Sequence, residues 1–244
     1  MRLALLTDIH GNAEALDACL EHITAVGVDG YVILGDIVGY GPDPGPVVEK
    51  VMDLQSRGAV VLLGNHDEAI ADGVGGMSEL AAEAIHWTRE QLSTEHKVFL
   101  AGLPLTHQIG NALFVHSSAR DPGDWNYVIH RLHAVDCFDA TDARRIFCGH
   151  THRPILFHQL AGRPVEEFVP KPNAKVPFSR ARRYLAVIGS VGQPRDHNPN
   201  ACWALLEPDG LTLNRIAYDI DATARKIAAT RLPRWLGLRL YEGR

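Results

Sequence analysis

The sequence has little cysteine and no paired cysteine spacing. Its four cysteines lie far apart at Cys19, Cys137, Cys148 and Cys202, with no C-x-x-C pair among them. Three of them fall within apolar runs of the kind that form a protein core. We therefore expect buried, reduced thiols in a cytoplasmic protein rather than a disulfide framework.

The sequence also lacks an excess of positive charge. Its formal net charge is -5, and charged residues make up 22% of the chain. A protein that holds nucleic acid as its main ligand needs a polycationic surface to neutralise the phosphates. We therefore do not expect DNA or RNA to be the main ligand.

No long hydrophobic run opens the chain. The apolar stretch at residues 3–6 soon meets Asp8, so it is too short for a signal peptide or a membrane span. Hydrophobic residues make up 46% of the 244 residues, which is a globular value. This composition predicts a soluble protein with one large domain and no membrane partner; it says nothing about the oligomeric state.

Apolar runs in the first half of the chain alternate between strand and helix patterns. Strands are predicted at 3–6, 31–34 and 59–63. One helix is predicted to end near Val26, a second to run from Pro46 through Leu54, and two more to cover 80–92 and 93–100. The second half is richer in strands. It begins with a hairpin at 106–116 that turns at Gly110-Asn111, and a helix is predicted near 128–135. Further strands are predicted at 145–148, 154–159, 184–188, 201–206 and 211–217, an irregular surface loop at 170–177, and helix from Asp221.

The apolar run at 31–34 ends at Gly35-Asp36, which leaves a carboxylate at the tip of a buried strand. Ligands of open α/β sheets bind beyond the carboxyl ends of such strands. An isolated Gly-Asp pair is more often a turn cap. The other strand ends decide between these interpretations.

Metal-ligand or hydrogen-bonding side chains follow one strand after another. They are Asp8, His10, Asp36, Asn65, His66, Asp67, His116, His150 and His152. Oxygen and imidazole ligands without thiolate favour divalent metals such as Mn, Fe, Zn, Co or Ni. The set is too large for one ion, and it suits two ions that share a carboxylate, an arrangement common in phosphoryl chemistry.

The order of these blocks resembles the calcineurin-like metallophosphoesterase superfamily, and the overall spacing resembles its small prokaryotic single-domain members with phosphodiesterase-like activity. The matching blocks are Asp8-x-His10, Gly35-Asp36, Gly64-Asn65-His66-Asp67, His116 and Gly149-His150-x-His152. The resemblance implies a mixed α/β fold, a four-layer α/β/β/α sandwich of two mixed sheets flanked by helices. We expect this domain to cover residues 1–220, with residues 221–244 as a helical extension packed on it.

The resemblance also implies a role for each matching residue. Asp8, His10 and His152 would hold the first metal ion, and Asn65, His116 and His150 the second. Asp36 would bridge them, with its two oxygens facing different ions. His66 would be the catalytic imidazole, oriented by Asp67.

The implied reaction is hydrolysis of a phosphoric ester by a hydroxide that bridges the two metals, manganese being one candidate. Metal coordination can lower the pKa of water to about 7, so no covalent enzyme intermediate is needed. The expected substrate is a small phosphoester or a nucleotide.

One departure bears on the substrate. Protein phosphatases of this superfamily follow the bridging aspartate with a motif ending in Asp-Arg-Gly, whereas here Asp36 is followed by Ile-Val-Gly-Tyr-Gly. Losing an arginine clamp weakens recognition of a dianionic monoester and favours a phosphodiester. Arg195 could partly replace the clamp, or its segment 189–195 could only support the site.

Three alternatives to the phosphodiesterase remain open at this stage. A Ser/Thr-phosphatase-like monoesterase or a dinucleoside polyphosphate hydrolase would need the same metals with a different pocket. A scaffold that has lost catalysis is a third, although such scaffolds tend to lose the residue equivalent to His66. Separately, His130 and His133 could bind zinc, but a solvated helix face is favoured because no third ligand lies nearby.

Further residues are expected around the substrate. Tyr40, Asp43 and Trp125 are candidates for shaping the leaving-group pocket, and Asn65 for contacting substrate as well as metal. Ser117 and Ser118 could hydrogen-bond substrate or simply turn the chain. The tail at 231–244 could form a membrane-surface helix, but packing back on the body is favoured.

Overall fold

Two six-stranded mixed sheets form the centre of the fold in the computed structural model, which describes residues 1–244. The strands are β1 (Leu3–Leu6), β2 (Gly30–Ile33), β3 (Val60–Val61), β4 (Thr106–Ile109), β5 (Ala112–Val115), β6 (Arg145–Cys148), β7 (Ile155–Leu160), β8 (Glu166–Phe168), β9 (Lys175–Pro177), β10 (Arg182–Val187), β11 (Ala201–Glu207) and β12 (Gly210–Ile216). The helices are α1 (Ala13–Val26), α2 (Pro44–Ser56), α3 (Asn65–Asp72), α4 (Glu79–Gln91), α5 (Thr94–Ala101), α6 (Arg131–Asp139), α7 (Ile220–Ala228) and α8 (Trp235–Glu242), with a short 3-10 turn at Pro122–Asp124.

The first sheet has the strand order β3-β2-β1-β11-β12-β9. Strands β1, β2 and β3 run parallel, and β11 pairs antiparallel with β1. The second sheet has the order β4-β5-β6-β10-β7-β8, with β5, β6 and β10 parallel. In each sheet three parallel strands therefore end at the same edge, which is where polar side chains from distant parts of the chain can meet.

Alternating side chains of β1 show how the sheets are layered. Ala4 and Leu6 pack with the apolar residues of α1 and α2, whereas Leu3 and Leu5 pack with Phe114 and other residues of the second sheet. The other face of the second sheet packs against α6. The order is helix, sheet, sheet, helix, so the predicted four-layer sandwich is confirmed.

Several predicted boundaries need correction. Helix α2 begins at Pro44 rather than Pro46, because a proline is accommodated in the first helical turn, where its missing N–H is not needed. Helix α6 begins three residues later than expected, and strand β9 lies inside the predicted irregular stretch 170–177. Helix α3 was not predicted, because Asn65-His66-Asp67 resembles a polar loop when taken alone.

The C-terminal segment packs back on the body of the protein. Leu236 and Leu240 of α8 are buried in a cluster that also contains Ile227 of α7, Ala84 of α4 and Tyr40. No helix in the structure has the length and apolarity that crossing a bilayer would require. The apolar face of α8 is thus used internally, beside the loop that follows β2.

Candidate metal centre

The predicted ligands meet at the shared edge of the two sheets, and most of them adopt an unusual backbone conformation. Five have positive φ angles: Asp8 (52°), His10 (51°), Asp36 (53°), His150 (65°) and His152 (58°). Non-glycine residues adopt this left-handed conformation rarely, and it concentrates at functional sites. The chain therefore accepts local strain to bring these side chains together.

A first ligand group consists of Asp8, His10, Asp36 and His152, all of them buried. The Asp8 Oδ1 atom lies 3.2 Å from His152 Nε2, and Asp36 Oδ2 lies 3.6 Å from His10 Nε2. The four potential ligand atoms lie within 4.8 Å of one another. This spacing would allow one cation to contact all four.

A second group consists of Asp36, His116 and His150, with Asn65 nearby at the start of α3. Asp36 Oδ2 lies 3.4 Å from His116 Nε2, which in turn lies 3.2 Å from His150 Nδ1. The Oδ1 atom of Asn65 is buried and accepts no hydrogen bond. It is therefore free to act as the neutral oxygen ligand that the sequence predicts.

Asp36 belongs to both groups, but it does so through one oxygen. Its Oδ2 atom faces His10 on one side and His116 on the other, while Oδ1 accepts the backbone N–H of His66 at 2.9 Å. The expectation that its two oxygens face two different ions is therefore wrong. One oxygen faces both groups, and the other fixes the carboxylate to the first turn of α3.

Backbone carbonyls fix the tautomer of every histidine in the two groups. The Nδ1 atoms of His10, His116 and His152 lie 3.0, 2.8 and 2.6 Å from the carbonyl oxygens of Val38, Leu34 and Gln193. In His150 it is Nε2 that lies 2.9 Å from a carbonyl, that of Trp125. A carbonyl only accepts, so each of these nitrogens donates, and the other ring nitrogen presents a lone pair to the centre.

These lone pairs make the site suitable for cations. His10 Nε2 lies 3.1 Å from His152 Nε2, and His116 Nε2 lies 3.2 Å from His150 Nδ1, so lone pairs face each other at hydrogen-bond distance when all four rings are neutral. Two acceptors cannot form a hydrogen bond, and Asp8 Oδ1 also has no hydrogen-bond partner. A divalent cation in each group would satisfy all of these atoms, so the residues present fit a dinuclear metal centre.

Charge and burial act in opposite directions on these side chains. Burial alone would lower the pKa of His116, but the charge of Asp36 raises it to about 9. Burial lowers the pKa of His150 to about 3. Burial would raise the pKa of Asp8, but the adjacent His152 holds that pKa below its ordinary range. Asp8 and Asp36 are therefore ionised, whereas His116 carries a proton at pH 7 that a bound cation would displace from its Nε2 atom.

His66 lies beside the centre, with its ring centroid 4.8 Å from that of His10. Its Nδ1 atom is buried and has no hydrogen-bond partner. The expectation that Asp67 orients this ring is wrong, because the Asp67 carboxylate accepts the backbone N–H groups of Ile37, Val38 and Gly64. Asp67 instead ties the loop after β2 to the start of α3.

Gly39 leaves the space that the His66 ring occupies. A Cβ atom added to Gly39 would lie 2.3 Å from His66 Nδ1, and the φ angle of Gly39 is 90°. Both the left-handed backbone and the close approach require glycine at this position. Steric fit to Gly39, rather than a hydrogen bond from the ring to Asp67, therefore holds the ring in place.

Comparison with known proteins agrees with this geometry. Residues 1–210 match the calcineurin-like phosphoesterase superfamily domain. The chain belongs to this family. It is also 34% identical over 250 residues to the uncharacterized protein MJ0912 of Methanocaldococcus jannaschii, a match that covers 99% of this chain and 98% of the relative.

Solved structures of similar proteins share the fold along the whole chain. The metallophosphoesterase from Sphaerobacter thermophilus superposes with a TM-score of 0.86 at 35% identity, with complete coverage of both chains. The hypothetical protein PH1004 from Pyrococcus horikoshii superposes with a TM-score of 0.79 at 22% identity, covering 100% of this chain and 98% of that one. These similarities include the C-terminal segment, which lies beyond the superfamily domain.

A cleft of ≈ 350 Å³ opens beside the second ligand group of this calcineurin-like centre. Asn65, His66 and His150 are among the residues that line it. Its walls are Tyr40, Glu68, Ala69, Gly73, Gly75, Gly76, Met77, Ser78, Ala81, Asp124, Trp125 and Tyr127. The lining contains two carboxylates and no lysine or arginine, so this cleft suits an uncharged group better than an additional phosphate.

The loop that carries Trp125 also joins the two sides of the cleft, a role that the sequence did not predict. The carbonyl of Trp125 orients His150, and the Trp125 indole N–H donates to Glu68 Oε2 at 2.7 Å. The ring of Tyr127, in the same loop, stacks 4.2 Å from the ring of His150. Glu68 lies on α3, which also carries Asn65 and His66. This link holds the two sides of the cleft together. No spacing signal in the sequence connects residues 68 and 125.

Other predicted site residues lie elsewhere. Asp43 pairs with Lys226 at 2.8 Å and does not line the cleft, so its expected pocket role is wrong. The Ser117 hydroxyl donates to the carbonyl of Pro122 in the same loop, and the Ser118 hydroxyl lies 3.3 Å from Cys137 Sγ on α6. His130 and His133 stack on each other at 3.6 Å without joining a group of three metal-ligand side chains.

The segment 189–195 supports the site, which is one of the two roles predicted for it. Ser190 Oγ donates to the carbonyl of Asp8 at 2.8 Å, and the carbonyl of Gln193 accepts from His152. Arg195 lies farther out, with its Cζ atom 5.7 Å above the ring of Tyr40. That ring is in turn 4.5 Å from His66, which places Arg195 at the margin of the centre.

Proposed function

We propose that this protein is a dimetal-dependent hydrolase of phosphate esters that acts on phosphodiesters. The observation that carries the proposal is the pair of ligand groups that share Asp36 Oδ2, with inward lone pairs and with His66 and the cleft beside them. Two-metal sites of this kind suit in-line displacement at phosphorus.

Asp8, His10, Asp36 and His152 would hold one ion, and Asp36, Asn65, His116 and His150 the other. The nitrogen and oxygen ligands suit Mn, Fe, Zn, Co or Ni. When bound, such ions acidify a water molecule and neutralise charge on the phosphoryl oxygens. Four buried and unpaired cysteines are consistent with a reducing compartment, from which we infer a cytoplasmic location.

His66 would assist departure of the leaving group. Burial lowers the pKa of His66 to about 4, so the ring is neutral at pH 7 in the absence of substrate. A neutral imidazole still carries one N–H, which can donate a hydrogen bond to the leaving oxygen. The negative charge of a bound phosphate would raise the pKa of His66 and so favour its protonated form.

The cleft supports the choice of a diester. It offers space beside the second ligand group for a substituent, and its lining carries Glu68 and Asp124 but no basic side chain. Gly39 and Tyr40 stand here at the positions where protein phosphatases carry their Asp-Arg pair. A monoanionic diester needs less positive charge around it than a dianionic monoester. Asn65, Tyr40 and Arg195 are the proposed substrate contacts.

The test combines metal analysis of the purified protein with parallel assays of an aryl phosphodiester and an aryl phosphomonoester in the presence of Mn²⁺. We expect bound metal and a higher kcat/KM for the diester. The His66→Ala variant should keep its metals and lose about 10²-fold or more in kcat, the usual contribution of a general acid.

Three results would count against the proposal in different ways. Absence of bound metal together with no hydrolysis of either ester would favour a non-catalytic scaffold. A strong preference for the monoester would contradict the diester assignment alone. Unchanged kcat in His66→Ala would remove the catalytic role of that residue.

A further inference from the structure

The cleft beside the second ligand group carries negative charge without a counter-ion. Glu68 and Asp124 line it, and no lysine or arginine does. Glu68 Oε2 accepts the neutral indole N–H of Trp125, and neither carboxylate forms a salt bridge, unlike Asp43, which pairs with Lys226 at 2.8 Å. Two carboxylates without basic partners in one cleft would attract a cation.

Two aromatic side chains in the cleft lining add to this attraction. The ring of Tyr127 stacks on His150 with an interplanar angle of 16°, yet Tyr127 remains 50% exposed, so the rest of its ring is open to a ligand. The ring of Trp125 lies 5.8 Å from that of His116 in an edge-to-face arrangement. The faces of aromatic rings attract cations, and quaternary ammonium groups are bound by such rings in many proteins.

Tyr40 also lines the cleft, but its ring is less accessible. It is 9% exposed, and the Cζ atom of Arg195 already lies 5.7 Å above the ring. The ring also packs 4.5 Å from that of His66. A cation in the cleft would therefore contact Trp125 and Tyr127 rather than Tyr40.

Helix α3 connects this acidic and aromatic surface to the metal centre. Asn65 and His66 line the cleft, and each keeps a buried polar atom, Oδ1 and Nδ1 respectively, without a hydrogen-bond partner. Glu68 follows Asn65 by one helical turn, so the two side chains are neighbours on one face of α3. A phosphate held beside Asn65 could therefore place a cation near Glu68 through a short linker.

The chemistry of the lining favours a quaternary over a primary ammonium group. A primary ammonium group has three N–H donors that need acceptors. Ring faces are weak acceptors, and the Oε2 atom of Glu68 already accepts the Trp125 indole N–H. A quaternary group donates no hydrogen bond, so it needs only the negative charge and the ring faces.

We propose that the cleft binds a quaternary ammonium group of the substrate, with Glu68 and Asp124 supplying negative charge and Trp125 and Tyr127 supplying ring surface. The ammonium group is joined to an ester oxygen of the phosphate by a short linker. This inference rests on the proposed phosphodiesterase function and narrows its substrates to zwitterionic phosphodiesters.

The test compares two aryl phosphodiesters of the same shape. One is choline p-nitrophenyl phosphate, and the other is its uncharged isostere, in which a tert-butyl group replaces the trimethylammonium group. With Mn²⁺ in excess, we expect kcat/KM to be about tenfold higher for the choline ester. Glu68→Gln, which keeps the acceptor for the Trp125 indole, and Asp124→Asn should each lower this ratio by about twofold to fivefold, and the double variant should lower it further.

Asp72→Asn is the matched control, because Asp72 ends the same helix, is exposed and does not line the cleft. It removes the same charge and should keep the wild-type ratio. A ratio near one in the wild type, or an unchanged ratio in the double variant, would overturn the ammonium site.

A binding measurement tests the ammonium site without turnover. Isothermal calorimetry in the presence of Mn²⁺ should show tighter binding of phosphocholine than of its tert-butyl isostere, and the double variant should lose this difference. Equal binding of the two compounds by the wild type would contradict the site. Failure to hydrolyse either ester would count against the proposed function, whereas the calorimetric comparison would still decide whether the cleft binds the cation.

Discussion

The two ligand groups share Asp36 but differ in their surroundings. In the first group all four side chains are buried, and the carbonyls that orient His10 and His152 belong to Val38 and Gln193, both of them buried themselves. In the second group His150 and Asn65 line the open cleft, and the carbonyl that orients His150 comes from half-buried Trp125. One half of the centre is enclosed by the core, and the other faces the cleft.

Because of this difference, the two groups should retain their ions with different strength. The enclosed group is held by several short segments that pack in the core, so its ligands need little ordering when a cation binds. The cleft-facing group depends on a surface loop joined to α3 by the Trp125 and Glu68 hydrogen bond. We therefore expect the first ion to be retained more strongly and the second to exchange more readily.

Removing the shared ligand should have the largest effect. In Asp36→Asn the oxygen that faces both groups loses its charge, so both ions should be bound more weakly. Even changes to residues behind a ligand typically cost about 10–100-fold in affinity or activity, so the loss here should be at least as large. Metal analysis after gel filtration measures it. Loss of only one ion would show that the bridge is misassigned.

The next largest effect should distinguish the two groups. His10→Ala should chiefly empty the first site, and His150→Ala should chiefly empty the second. Titration of each variant with Mn²⁺ in an isothermal calorimeter measures the number of sites that remain. Each variant should retain one site, with the site left in His10→Ala the weaker of the two. Equal loss of both ions in the two variants would contradict the division into two groups.

A smaller effect is expected from Gly39→Ala, which disturbs His66 without changing any ligand. The new Cβ atom would lie 2.3 Å from His66 Nδ1, and φ is 90° at this position. We expect kcat to fall by about 10–100-fold and the free energy of unfolding by about 1–3 kcal/mol. Metal content should remain that of the wild type. A loss of metal equal to the loss of activity would mean that the residue supports the ligands instead.

Substitution of Glu68 should have the smallest effect, and only on the ligand group that faces the cleft. Glu68→Ala removes the acceptor for the Trp125 indole, so the loop that orients His150 should loosen. We expect the second ion to bind up to about tenfold more weakly and the first ion to bind unchanged. Glu68→Gln is the control, since its amide oxygen still accepts the hydrogen bond. If both variants behave alike, the charge of Glu68 matters rather than the link.

The ligand set itself was predictable because each ligand follows a strand or a recognisable turn. Asp8, Asp36 and His116 come directly after or near the ends of β1, β2 and β5, and parallel strands bring their carboxyl ends to one edge. Periodicity also located α1 and α4 closely. The layer order followed from the family resemblance rather than from any single apolar pattern.

Contacts between distant segments could not be predicted in the same way. Nothing in the spacing of residues indicates that Asp67 accepts three backbone N–H groups instead of bonding His66, or that one oxygen of Asp36 faces both groups. Backbone carbonyls at Leu34, Val38 and Trp125 fix histidine tautomers, and a carbonyl has no sequence signature.

The most direct test of the central claim is anomalous diffraction from crystals of the protein grown with Mn²⁺. The account predicts two peaks, one within each ligand group, about 3.5–4 Å apart, with Asp36 Oδ2 in contact with both. A single peak, or two peaks of which only one contacts Asp36, would contradict the dinuclear centre.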